Sequence, residues 1–90
     1  MPKIIITHNV VDTKRWLSFK AERAEGINSL GGGGQVVDHI AEDGSNSVAI
    51  SVEVNDLETV LSAIESPPPE LGALMEKHGV IPPLAVYVET

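Results

Sequence analysis

The chain has no cysteine, so it carries no disulfide framework, no thiolate metal site and no cysteine nucleophile. Aromatic residues are scarce, with one each of Trp (Trp16), Phe (Phe19) and Tyr (Tyr87). Bases of a single strand would find no series of platforms to stack on. Positive charge is short and confined. Lys3, Lys14, Arg15, Lys20 and Arg23 all precede Ala24, and from there onward Lys77 alone faces eleven acids. With a net charge of −7 the chain repels phosphate backbones, and nucleic acid is excluded as a partner. No apolar run approaches the ~20 residues of a membrane span. The N-terminal MPKIIITHNVV is not followed by a small-residue cleavage site. The expectation is a soluble cytoplasmic protein with no membrane partner. His8, His39 and His78 form no HxH or HxxxH pair, no GxSxG elbow is present, and no metal or cofactor is expected.

What the chain does have is the makings of one core. It is 42% hydrophobic and 21% charged, the composition of a single globular domain over residues 1–90. Residues 3–11 (KIIITHNVV) are β-branched and read as a strand. Asp12 is a helix N-cap, and an amphipathic helix follows with Trp16, Leu17, Phe19, Ala24 and Ile27 on its apolar arc. It ends at Gly26, or runs to Leu30 with Gly31 as its cap. Residues 35–42 read as a less cleanly patterned strand. The turn Asp43-Gly44-Ser45-Asn46 leads into residues 47–54, which alternate well, so the two form a hairpin. Asn55 with Glu58 resembles a capping box for the next helix, which Pro67-Pro68-Pro69 stops. A short helix begins near Pro69, with Leu71, Leu74, Met75 and His78 on its inner face and Gly79 at its left-handed end. Past Pro82-Pro83, LAVYVE is the last strand.

The order strand, helix, strand, strand, helix, strand is that of a ferredoxin-like βαββαβ fold, an α+β class. Its four-stranded antiparallel sheet has helices on one face only. Apolar residues on both sides of the first strand call for cover on the other face, and a second copy of the chain supplies it. A homodimer is therefore expected.

One series of residues carries a family resemblance: His8-x-Val10-x-Asp12-x-x-x-Trp16, Arg23-Ala24-x-Gly26-Ile27, the DGSN turn, Val54-Asn55-Asp56-Leu57, Ser66-Pro67, and His78-Gly79-Val80 with Pro82-Pro83. It resembles small bacterial proteins of the dimeric α+β barrel superfamily, which include antibiotic-biosynthesis-monooxygenase-like and polyketide-cyclase-like members. The resemblance spans nearly the whole chain. It implies two sheets packed face to face as a barrel, and a pocket for an aromatic or polyketide-like compound between sheet and helices. It also implies oxidation without metal or flavin, or cyclisation. The haem-degrading members carry their key Trp and His later in the chain, where this sequence does not match.

His8, on the same side of its strand as Ile4 and Ile6, is either an acid/base group for a phenol or enol, or a hydrogen-bonded structural histidine. Asn9 points the opposite way. Trp16 and Phe19 serve as core or as the wall for a planar ligand. Lys20 and Arg23 fall inside the apolar arc, where they hold an anionic oxygen or snorkel to water. Asp38 and His39, adjacent on a strand, point apart and form no dyad. With the resemblance, the expected site has His8 as catalytic acid/base, Trp16 and Phe19 as wall, and Arg23 steadying an oxyanion. A non-catalytic ligand-binding or structural homodimer of the same fold is the alternative, and an amino-acid-binding regulatory domain a third.

The run Gly31-Gly32-Gly33-Gly34 follows a helix and precedes a strand. Phosphate loops do the reverse, placing backbone N–H groups of a helix N-terminus on the anion. The run reads as a flexible spacer, or a lid at the pocket mouth.

Overall fold

The β-branched start of the chain forms β1 (Lys3–Val10) in the computed structural model, which describes residues 2–90. Its side chains alternate: Ile4, Ile6, His8 and Val10 are buried, while Ile5 and Asn9 are exposed. Asp12 caps the next helix, its carboxylate accepting from the Lys14 N–H at 2.9 Å. The single helix expected here is broken in two, α1 (Thr13–Ser18) and α2 (Lys20–Ser29), at Phe19. At the break the Trp16 carbonyl accepts from the Phe19 N–H at 3.2 Å and from the Arg23 guanidinium at 2.9 Å. A side chain competing for a helix carbonyl leaves no trace in periodicity, so the break is invisible to pattern reading.

β2 (Val37–Ile40) is shorter than expected, and β3 (Ser47–Glu53) completes the hairpin. Asp56, one residue later than the sequence indicated, caps α3 (Leu57–Glu65), accepting from the Thr59 N–H at 3.1 Å and its hydroxyl at 2.6 Å. The N–H groups of Asn55 and Asp56 both donate to the Gly31 carbonyl, at 2.8 and 3.3 Å, which ties this turn to the glycine run. α4 (Pro69–Lys77) begins on proline and is followed by Gly79 at φ 76°. β4 (Val80–Val88) starts before the Pro82-Pro83 pair rather than after it. It lies at the sheet edge, where a missing N–H is tolerated. Thr7 pairs with Ala85 but Asn9 with Ile81, so β4 bulges around the prolines.

The strands are antiparallel in the order β2-β3-β1-β4. This is the ferredoxin-like α+β fold. Between sheet and helices sits the core of Ile4, Ile6, Val10, Trp16, Val48, Ile50, Val52, Val54 and Val60. The opposite sheet face presents Ile5 and Ile81, each 41% exposed, and Tyr87 at 61%. No element of the described chain covers it.

The glycine run is docked rather than free. Gly32 bridges Val54, and the Gly33 N–H donates to the Glu53 carbonyl at 2.9 Å. Gly31 has φ 111°, and a Cβ there would lie 3.0 Å from the Asp56 carbonyl oxygen. The run therefore extends the sheet edge toward α3, and the expected spacer or lid is corrected to a close-packed turn. A Cβ at Gly31, Gly32 or Gly33 would crowd its neighbours, whereas Gly34 has room for one.

Candidate functional site

A cavity of about 90 Å³ lies between the sheet and the helices. Ile6, His8 and Ile50 form its floor, Arg23 and Ile27 of α2 one side, and Val60, Ala63 and Ile64 of α3 another. Leu71, Leu74, Met75 and His78 close it from the α4 side, as their shared face foretold. Its polar groups are His8, Arg23 and His78.

Arg23 is buried at 7% exposure because a carboxylate meets it. Its Nη2 lies 2.7 Å from Asp38 Oδ2 and its Nε 3.2 Å from Asp38 Oδ1, a two-pronged pair. Nη1 donates to the Trp16 carbonyl at 2.9 Å, and the guanidinium carbon stands 3.9 Å from the centre of the Trp16 ring. Lys20, the other cation of the apolar arc, is exposed. Asp38 points beneath the helices while His39 points to the open face, where its Nε2 lies 3.0 Å from Ser51 Oγ.

His8 has its Nδ1 3.0 Å from the Asn9 carbonyl. A carbonyl only accepts, so in the neutral ring Nδ1 carries the proton and Nε2 keeps its lone pair. Among the described residues nothing bonds to Nε2. Burial lowers the His8 pKa from its ordinary 6.5, the Asn9 carbonyl pulls it back up, and the Arg23 charge lowers it further. At neutral pH the ring is an uncharged base on the wall of an apolar cavity.

Trp16 and Phe19 do not line the cavity; each backs a histidine that does. Trp16 meets His8 edge to face at 6.0 Å and 78°, fully buried, and its indole Nε1–H has no acceptor among the described residues. Phe19 stacks on His78 at 4.7 Å and 6°. His78 Nε2 lies 3.1 Å from Glu22 Oε1, and the same carboxylate takes Lys77 Nζ at 3.2 Å. Burial lowers the His78 pKa and outweighs the Glu22 carboxylate, which raises it. In the neutral ring Nε2 carries the proton and donates it to the Glu22 carboxylate. Asn9 stays on the open face, accepting from the Ser47 hydroxyl at 2.9 Å.

The arrangement thus brings His8 and Arg23 together, with Trp16 behind both, and leaves Phe19 outside the cavity behind His78. Asp38 and Glu22 are additions that sequence reasoning missed. A signal for Asp38 existed: a cation inside an apolar arc demands a buried acid, and Asp38 interrupts a strand on its inward side.

No protein-family model and no curated protein matches the sequence. Solved structures match it by shape. A Bordetella bronchiseptica protein classed with antibiotic biosynthesis monooxygenases superposes with a TM-score of 0.72 at 11% identity, over 99% of this chain and 94% of its own. SnoaB of Streptomyces nogalater, a cofactor-independent oxygenase, gives 0.65 at 14% identity, over 99% and 90%. A dimeric ferredoxin-like protein from an uncultured marine organism gives 0.57 at 11% identity, over 98% and 94%. Across nearly its full length, the chain has the ferredoxin-like fold of antibiotic-biosynthesis-monooxygenase-like proteins.

Proposed function

We propose that the chain is a small-molecule enzyme, a cofactor-independent monooxygenase or cyclase acting on an aromatic or polyketide-like compound in the cavity between sheet and helices. The observation that carries this is His8: a neutral imidazole with its tautomer fixed by the Asn9 carbonyl and its Nε2 lone pair unclaimed. Such a base accepts the proton of a phenol or enol hydroxyl. The resulting phenolate yields an electron to dioxygen far more readily than the phenol. The radical pair combines at a ring carbon, the peroxide takes up the proton, and loss of water leaves the quinone. An enolate carbon instead attacks a carbonyl of the same molecule, whose oxygen takes up the proton. The imidazolium left behind is disfavoured by burial and by Arg23, so it returns the proton readily. Arg23 and Trp16 hold the His8 side of the wall. Shape likeness to SnoaB, a cofactor-independent oxygenase, supports the reading.

The protein works as a homodimer in this proposal, with the open face carrying Ile5, Ile81 and Tyr87 set against the same face of a second copy to close a barrel. The similar marine protein is described as dimeric. Light scattering on the eluting protein is expected to give twice the chain mass, and a monomer at micromolar concentration refutes the pairing.

For the chemistry, chelator-treated protein is incubated under air with phenols, hydroquinones and polyketide-like enols, following oxygen uptake and product mass. His8→Ala is expected to lower turnover by roughly 10²–10⁴-fold with the fold intact. Undiminished turnover removes His8 from the mechanism. The alternative, a non-catalytic ligand-binding or structural homodimer, draws on the internal pairing of Arg23 and of His78, and predicts binding without turnover.

A further inference from the structure

The structure assigns this cavity to a neutral, single-ring guest that donates a hydroxyl hydrogen bond, a phenol or an enol of that size, rather than to an anion or a fused polycycle. The inference rests on the reading of the cavity as the ligand site, and narrows what that site accepts.

Charge decides the first point. Arg23 is the cation on the cavity wall, and Asp38 neutralises it through a two-pronged contact at 2.7 and 3.2 Å. Its Nη1 is bound to the Trp16 carbonyl and its face is laid on the Trp16 ring. A carboxylate entering the cavity would meet no uncompensated positive charge, and would have to displace Asp38 or shed its hydration unpaired.

Hydrogen-bonding sense decides the second. His8 spends its Nδ1–H on the Asn9 carbonyl, and His78 sets its Nε2 against the Glu22 carboxylate. In the neutral rings, the nitrogens that no described residue engages are lone pairs. The guest must therefore supply the proton of the bond, as a hydroxyl does and a bare hydrocarbon does not.

Volume decides the third. At about 90 Å³ the space is below the roughly 150 Å³ of a dry protein cavity that takes up benzene. One ring fits once a wall side chain swings aside. Met75 and Leu74 are half-buried, on a helix without a single buried residue, so that wall gives way most easily. Three fused rings would require α4 to leave the sheet.

The test is binding, read separately from turnover. The amide shifts of Gly26 and Ala63 are followed by NMR at neutral pH against para-cresol, toluene, para-hydroxybenzoate and hydroxyanthracene. Para-cresol is expected to saturate, and toluene to bind about tenfold more weakly for want of the hydroxyl. The carboxylate and the tricycle are expected to leave the shifts unmoved. Leu74→Ala is expected to admit β-naphthol. Asp38→Asn is expected to gain para-hydroxybenzoate by freeing Arg23; should that variant not fold, Leu74→Ala and the wild-type series still decide. Wild-type protein that binds the carboxylate or the tricycle as tightly as para-cresol, or toluene equally well, overturns the inference, and turnover of such a compound would leave the enzyme reading standing. Para-cresol bound as described, with no phenol, hydroquinone or enol of the panel turned over, upholds the inference and removes the enzyme reading. A cavity that binds none of the probes overturns both.

Discussion

Removing the Asp38 carboxylate strands a guanidinium that is 6% exposed, in the interior, beside an aromatic ring. Asp38→Ala deletes both prongs of the pair, at 2.7 and 3.2 Å. The Trp16 carbonyl remains as a partner for Nη1, but it carries no full charge. Breaking a buried pair on one side costs about 3–5 kcal/mol, because the remaining charge is left uncompensated. A domain of this size has a total stability of about 5–15 kcal/mol, so the variant is expected to lose a large part of it. Removing both partners, as Arg23→Met with Asp38→Leu, takes away the desolvation cost together with the attraction, and is expected to recover most of the loss. Trp16, the single tryptophan, is buried against the guanidinium and reports unfolding by fluorescence in urea. His8 gives a second readout. Without Asp38 the Arg23 charge is unbalanced and drives the His8 pKa lower still, whereas Arg23→Met is expected to raise it; proton NMR of the imidazole follows both. An Asp38→Ala cost below about 1 kcal/mol, with no recovery in the double variant, would falsify the claim that this pair holds the site together.

Acid is expected to destabilise the fold. The pKa values of His8 and His78 are both lowered from 6.5, so below that pH the unfolded chain binds protons that the folded one refuses. Stability is complete above pH 6.5 and is lost as pH falls from there toward the folded values, with a slope of up to about 1.4 kcal/mol per pH unit per histidine. Urea titrations from neutrality downward check this, and a flat profile contradicts the burial of the two rings. Gly31→Ala meets both a positive φ and a backbone carbonyl at 3.0 Å, and is expected to cost roughly 1–3 kcal/mol. Gly34→Ala makes its nearest contact at an ordinary 3.6 Å and is expected to change the melting temperature little; equal effects would mean the run is not docked. Tyr87→Lys places a charge on the open sheet face and is expected to give a folded monomer by light scattering.

The fold was legible because each element obeys a local rule. β1 and β3 alternate cleanly since one side of each meets the helices, and Asp12, Pro69 and Gly79 mark helix ends by geometry that their side chains alone dictate. Where the chain departs from those rules, the cause lies far off in sequence. Phe19 interrupts a helix where the Trp16 carbonyl takes the Arg23 guanidinium as well as the Phe19 N–H, and the Asn55-Asp56 turn is tied to Gly31, whose carbonyl accepts both of their N–H groups. The same distinction governs the site. His8 and Arg23 were placed inward by period alone, and Asp38 interrupts its strand on the inward side, but no local pattern pairs Asp38 with an arginine 15 residues away, nor Glu22 with His78 or Gly32 with Val54.

That distance has a physical consequence for the chemistry. Trp16 and Phe19, the residues whose size points to a ligand wall, are used to set the orientation of His8 and His78. Aromatic bulk behind an imidazole fixes the ring without occupying the space in front of it. What reaches the cavity is then small, apolar or lone-pair-bearing, with its cation already neutralised. A base built this way is kept neutral by exclusion of water rather than charged by an acidic partner, so burial weakens it and eases return of the proton. Any substitution that opens the α4 wall to water is therefore expected to raise the His8 pKa toward 6.5, even with every hydrogen bond to His8 intact. Leu74→Ala tests this directly: an unchanged His8 titration in that variant would place the origin of the lowered pKa in Arg23 instead of in burial.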